Sequence, residues 1–327
     1  MLTKKQNLIE TISGGKPDRF VNQYEFLTAI METAVTMSGF PGPGGVGHDA
    51  WGVTWSWPEG QIGAFPVHDD EHKVLKDITE WKKYVKKPVV PTDDEIWAPA
   101  IEAVSKVDRN DQYVTVMAAP GLFETTHHLM GMEDALMAYY EEPEAMHELI
   151  DYITEYELDL AKVYIDKLKP DALFHHDDWG SQISTFISPE MFEEFFVPGY
   201  KKIISFYKDN GVELVVHHSD SFAATLVPSM IEMGIDIWQG VMKTNNIPDL
   251  IDQYGDKIAF MGGLHSGEID FPDWTAENTA KHVEEACKNY GKRSFIPCLT
   301  SGLPMSNFPG VYDEVTAQID KMSKELF

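Results

Sequence analysis

Two runs of adjacent histidines and acids stand out in the sequence, His175-His176-Asp177-Asp178-Trp179 and His217-His218-Ser219-Asp220, together with two cysteines, Cys287 and Cys298. Neutral imidazole, carboxylate and thiolate are all good zinc ligands, and a catalytic zinc site uses three protein ligands and keeps one position open. His218, Asp220 and Cys298 make one such set. A structural alternative exists, in which Ser219 or Asp220 caps a helix starting near Phe222 and both histidines are hydrogen-bonded in the core. Asp177 and Asp178 suit general acid/base work, orientation of a ligand histidine or binding of a substrate group. A turn-forming Asp pair is the plainer account of them. Cys287 shares a helical face with Val283 and Tyr290 and reads as packing. His127 and His128, in Glu124-Thr125-Thr126-His127-His128, read as structural residues on the first turns of a helix.

The elements that must position these groups follow from periodicity. Strand-like runs occur at Arg19 to Phe26, near Gly52 to Trp57, and at 113–118, 172–176, 213–218, 235–238, 258–261 and 294–296, with amphipathic helical stretches between most of them. Eight strands alternating with helices predict a parallel sheet with right-handed crossovers, closed as a single-domain (β/α)8 TIM barrel over residues 1–327. In that fold the site lies past the C-terminal ends of the strands. The histidine–acid runs meet that demand, as do Tyr24-Glu25, Gln239, His265 and Cys298. Glu25 joins Asp177 and Asp178 as a candidate catalytic carboxylate, and Tyr24, Gln239 and His265 are candidate substrate contacts. Side chains alternate faces along a strand, so His218 points inward if Leu214 and Val216 do. Residues from about 36 to 70 are rich in Gly, Pro and Trp and predict a lid or pocket wall inserted after the first strand, with an ordinary surface excursion as the alternative. Thr3 and Gln6 form a capping-box pattern ahead of a short opening helix.

Composition limits the function. The 327 residues are 43% hydrophobic and 24% charged, with 26 Lys+Arg against 53 Asp+Glu and a formal charge of -27. The only arginines are Arg19, Arg109 and Arg293. Affinity for phosphate backbones depends on concentrated Lys and Arg, so nucleic acid is excluded as a partner. No stretch approaches the roughly 20 apolar residues of a membrane span. The charged N-terminus lacks an apolar segment after it, and two cysteines cannot form a disulfide framework, which predicts a cytoplasmic protein.

The chain resembles the uroporphyrinogen decarboxylase-like superfamily, which includes that decarboxylase and the corrinoid- or coenzyme M-dependent methyltransferases. The resemblance rests on Gly15-Lys16-Pro17-Asp18-Arg19, Ala119-Pro120-Gly121-Leu122-Phe123 with Gly131, Asp177-Asp178-Trp179-Gly180 and Ser188-Pro189-Glu190. It continues through Pro198, Gly211, His218-Ser219-Asp220 and Gly262-Gly263 to Pro297-Cys298. It implies a (β/α)8 barrel. The decarboxylase's paired arginines after the first strand are replaced here by Tyr24-Glu25-Phe26, and the charge of -27 opposes an eight-carboxylate substrate.

The methyltransferase branch carries His-x-Cys and a distant second Cys as zinc ligands, a pattern present here as His218-x-Asp220 and Cys298. Asp in place of Cys makes the metal harder, better suited to polarise oxygen than to bind a thiolate. The resemblance therefore implies an O-demethylating enzyme: zinc activates a methylated substrate, a methoxylated aromatic above all, whose methyl group passes to the cobalt of a corrinoid (cobalamin) on a partner protein. Trp51 and Trp179, with Trp55 and Trp57, either hold a planar substrate or pack. Two alternatives remain, a metal-free decarboxylase acting on a smaller acid and a non-catalytic corrinoid- or tetrapyrrole-binding protein. The oligomeric state stays open, with a homodimer among the possibilities.

Overall fold

The computed structural model describes residues 1–31, 35, 38–61 and 63–327. Its main sheet has seven parallel strands in the order β1 (Leu27–Ile30), β5 (Tyr113–Ala118), β6 (Ala172–His176), β7 (Leu214–His218), β8 (Ile237–Val241), β9 (Ala259–Leu264) and β10 (Phe295–Leu299). A separate three-stranded antiparallel sheet, β2 (Val46–His48), β3 (Thr54–Ser56) and β4 (Phe65–Pro66), follows β1. The six later strand runs read from sequence lie within a few residues of their places. The first two do not. The opening strand starts at Leu27, where the sequence pattern has it ending at Phe26, and Gly52 to Trp57 contributes to the small sheet and not to the parallel one.

The physical cause lies at Gln23, whose φ of 50° interrupts the extended run. Its backbone N–H donates to the Pro297 carbonyl at 3.3 Å, and its side-chain oxygen accepts from Leu299 N at 3.4 Å. This irregular segment lies along β10 where an eighth regular strand was expected. The result is a curled parallel sheet of seven strands, a TIM-like barrel. The Gly/Pro/Trp-rich stretch of 36–70 forms the small sheet, although residues 36, 37 and 62 lie outside the described residues. The Trp51 ring packs edge-on against Tyr156 at 5.0 Å and that of Trp55 against His128 at 4.9 Å, so both are buried anchors of this insertion.

Burial separates the two faces of the sheet. One apolar cluster takes alternate residues from each strand, among them Leu27, Tyr113, Phe174, Leu214, Val216, Ile237, Met261, Ile296 and Cys298, and fills the interior of the curl. The larger cluster takes the intervening residues, such as Val114, Val116, Leu173, Val215 and Trp238, and packs them against the helices. Both faces are covered, as parallel sheets require. The opening helix Lys4–Ile12 starts at the expected capping box, Thr3 Oγ1 accepting from Gln6 N and Gln6 Oε1 from Thr3 N, each at 3.1 Å. Among the described residues, no helix is long and apolar enough to cross a membrane.

Candidate metal centre at the strand ends

Strands β6 and β7 each end in His-His, and the ladder pairs them in register, His175 with His217 and His176 with His218. The alternation that puts Leu214 and Val216 inside also puts His218 inside, and Ala172 and Phe174 do the same for His176. The inner rings lie 4.5 Å apart. The alternation continues past β6, so that Asp178 reaches back between them: His176 Nε2 is 3.8 Å from Asp178 Oδ2 and His218 Nε2 is 3.8 Å from Asp178 Oδ1. That separation is too long for a hydrogen bond. It is close to the roughly 3.4 Å between two ligands that each sit about 2.1 Å from one tetrahedral ion. Among the described residues, His176, Asp178 and His218 are the one group of three His, Cys, Asp or Glu residues whose ligand atoms converge within 4.8 Å.

The surroundings prepare these groups. His218 Nδ1 is hydrogen-bonded to Gln239 Oε1, and the Gln239 amide nitrogen donates to the carbonyls of Leu299 at 3.1 Å and Ser301 at 3.2 Å. With its amide oxygen facing the ring, Gln239 requires a hydrogen on Nδ1 and leaves the Nε2 lone pair facing Asp178. Burial and neighbouring His176 bring the His218 pKa down to about 4, which keeps it in the neutral, ligating form. Gly302 lies over the ring, since a Cβ there would come within 3.0 Å of His218 Cδ2, Cε1 and Nε2.

Negative charge surrounds the cluster. Glu124 Oε2 lies 3.5 Å from His176 Nε2 and is buried without a hydrogen-bond partner. Burial, offset by His176, leaves the Glu124 carboxyl at about 7, and burial with Asp178 raises Asp220 to about 7. Burial pulls the His176 pKa down, but Glu124 and Asp178 outweigh it and raise it to about 10. In the absence of any other cation, a proton on His176 balances this acidic group.

The sequence-predicted residues divide. His218, Asp178 and Gln239 come together, and Asp220 is linked to them by its N–H, which donates to Asp178 Oδ1 at 3.1 Å. Cys298 faces the interior but is not one of the converging ligands. Its thiol lies against Gln239 and Tyr24, and burial holds it well above the ordinary thiol range, so it stays protonated. Glu25 lies ahead of β1, 3.7 Å from Arg19, at the end of the barrel opposite the site. Tyr24 fills the interior, its hydroxyl donating to the Ser301 carbonyl at 2.8 Å. His265 caps the short helix Ser266–Ile269, with Lys243, Glu268 and His282 around it and away from the trio.

Asp177 points to the helix side, where its carboxylate accepts from Phe123 N, Glu124 N, Trp179 Nε1 and the Tyr200 hydroxyl. Burial raises its pKa and these four donors counter that, holding the carboxyl at the start of the helix Leu122–Met130. Gly121 permits that approach, because a Cβ there would lie 2.5 Å from Asp177 Cβ. Trp179 stacks on His217 at 4.0 Å in the same outer layer and does not line the interior. The residues not assigned from sequence are His176 and Glu124. The alternation argument applied to Ala172–His176 finds the first; no local signal finds the second.

Comparison with known proteins places this geometry. The sequence model of the uroporphyrinogen decarboxylase (URO-D) family matches residues 46–317, and the chain belongs to that family. A methyltransferase from Methanosarcina mazei has the same fold, with a TM-score of 0.68 over 98% of this chain and 99% of that one, at 14% sequence identity. No curated protein matches the sequence.

Proposed function

We propose that the chain is a metal-dependent methyltransferase that removes a methyl group from the oxygen of a small methylated substrate, a methoxylated aromatic in particular, and delivers it to the cobalt of a corrinoid carried by a partner protein. The observation that carries this reading is the convergence of His176, Asp178 and His218 at the C-terminal rim. The donor chemistry fits zinc: two imidazoles, one of them set by Gln239 to offer Nε2, one carboxylate, and the orphaned Glu124 Oε2 beside them. Nitrogen and oxygen donors make a harder site than one containing thiolate. A metal ion held there supplies Lewis acidity to the oxygen that leaves as alkoxide or phenoxide. The chain's own part is to hold the ligands and to keep His218 neutral, with Gly302 packed over its ring.

The arginines support this reading over decarboxylation of a polycarboxylate. Arg109 pairs with Asp171 at 2.5 Å ahead of β5 and β6, Arg293 precedes β10, and Arg19 pairs with Asp18. None lies in the cluster, so the acidic groups there, Glu124, Asp178 and Asp220, have no arginine beside them to clamp a polycarboxylate. Metal analysis of the purified chain should find about one zinc per chain. A cob(I)alamin methylation assay with methoxyaromatics should then show transfer that depends on that metal. Stoichiometric carbon dioxide release from an aromatic or porphyrinogen acid by the metal-free protein would replace this reading with a decarboxylase.

A further inference from the structure

On the helix side of the sheet, directly behind the proposed metal ligands, a line of polar groups runs through the buried layer. Glu157 Oε2, on the helix Pro143–Leu168, is 2.9 Å from His175 Nε2. His175 Nδ1 is 3.3 Å from His217 Nδ1, and His217 Nε2 is 3.3 Å from the main-chain carbonyl oxygen of Asp177. Glu157, His175 and His217 are 4%, 0% and 1% exposed. A carbonyl oxygen only accepts, so His217 Nε2 must carry a hydrogen. Were Glu157 a carboxylate and both imidazoles neutral, His175 would donate to Glu157 and accept from His217 Nδ1. His217 would then face the carbonyl with a bare nitrogen. The carbonyl is satisfied when the line runs toward it, His175 Nδ1 donating to His217 Nδ1 and His217 Nε2 to the Asp177 oxygen.

We propose that Glu157, His175 and His217 are positioning residues: they form a one-directional hydrogen-bonded line that holds the Asp177 carbonyl and, through the next peptide, aims the Asp178 carboxylate between His176 and His218. The proposal rests on the reading of that trio as a metal site. Asp177 is held at its other atoms too, its N–H donating to the His218 carbonyl at 3.2 Å and its carboxylate taking the four donors described above. With both ends of this residue held, the direction in which Asp178 leaves it is set.

Cobalt(II) serves as the probe, titrated into the metal-free full chain and followed by its visible absorption. Glu157→Gln keeps a hydrogen-bonding amide against His175 Nε2 and with it the direction of the line, so its dissociation constant should stay within about threefold of wild type. Glu157→Leu and His217→Phe remove a member and should weaken binding by about ten- to a hundredfold, as loss of an outer-shell partner does, and alter the cobalt spectrum. Tyr207→Phe changes a buried hydroxyl near Glu157 that lies outside the line, and should bind like wild type. Wild-type affinity and spectrum in both Glu157→Leu and His217→Phe, or a Glu157→Gln variant as weak as Glu157→Leu, would overturn the proposal. If the wild-type chain binds no cobalt, the metal reading fails separately, and the line is judged from the imidazole ¹⁵N shifts of the metal-free protein. A protonated His217 Nε2 supports it, and a bare one refutes it.

Discussion

The two strands that end in His-His place the same residue type in two different environments a sheet's thickness apart. The outer pair, His175 and His217, has a hydrogen-bond partner at each ring nitrogen and is almost wholly enclosed. The inner pair, His176 and His218, points both Nε2 atoms at one carboxylate from beyond hydrogen-bonding distance. The following acids repeat the division, Asp177 with four donors on its carboxylate and Asp178 between two imidazoles. A polar group whose hydrogen bonds are complete contributes to stability and position. One whose lone pairs converge on others without bonding them is arranged for something else, and a cation is the simplest such partner.

Removing an inner ligand should have the largest effect. His218→Ala and His176→Ala should each leave well under half an equivalent of zinc and lower methyl transfer by about a thousandfold or more, comparable to loss of a charge-stabilising group at a reacting oxygen. The checks are metal content and the cob(I)alamin assay on the same samples. Full zinc occupancy in both variants would make the inner pair as structural as the outer one.

The aspartates sharpen the contrast because the same substitution should have opposite consequences. Asp177→Asn removes a buried acceptor of charge-assisted bonds and should cost about 2–4 kcal/mol in urea unfolding. Asp178→Asn trades relief of repulsion with Asp220 against lost attraction to His176 and should shift metal-free stability by less than about 0.5 kcal/mol, while weakening metal binding. Equal losses of stability in the two variants would erase the distinction.

His127 provides a smaller test in a third setting. Burial depresses its pKa to about 4, against an ordinary value of 6.5. The unfolded chain therefore takes up a proton first as pH falls, so the stability associated with neutral His127 is complete above 6.5 and is lost between 6.5 and 4. His127→Phe keeps the aromatic packing on Phe123 and should flatten unfolding free energy over that window, by on the order of 1 kcal/mol per pH unit. Parallel pH profiles for wild type and variant would contradict it. The smallest effect is expected at Cys298: Cys298→Ala should cost about 1 kcal/mol of stability and leave zinc stoichiometry unchanged, because the thiol packs against Gln239 and Tyr24. A loss of zinc in that variant would return the sulfur to the ligand set.

Much of this arrangement was written locally. The apolar runs from Tyr113 onward, spaced by amphipathic helices, specify six parallel strands, because a strand covered on both faces must be apolar along its length. Alternation from Leu214 and Val216 was enough to send His218 inward, and the same rule applied to Ala172 and Phe174 sends His176 after it. The capping box at Thr3 was equally legible, since its contacts span three residues.

What lay beyond the sequence was decided by partners distant in the chain. The extended pattern of Arg19 to Phe26 does not reveal that Gln23 takes a left-handed backbone and meets β10, some 270 residues later, partly through its side chain. Nor does the strand pattern near Gly52 to Trp57 say which ladder it joins. Inward direction alone could not separate Cys298 from His176 as a ligand, because which inward groups meet depends on their order around the curl: β6 and β7 are neighbours, whereas Gln239 on β8 takes up His218 Nδ1 and packs against the Cys298 thiol. Glu124 comes to His176 on a helix start that Asp177, 53 residues later in the chain, holds at Phe123 N and Glu124 N. Periodicity determines which way a side chain points, and the closing of the sheet determines what it meets there.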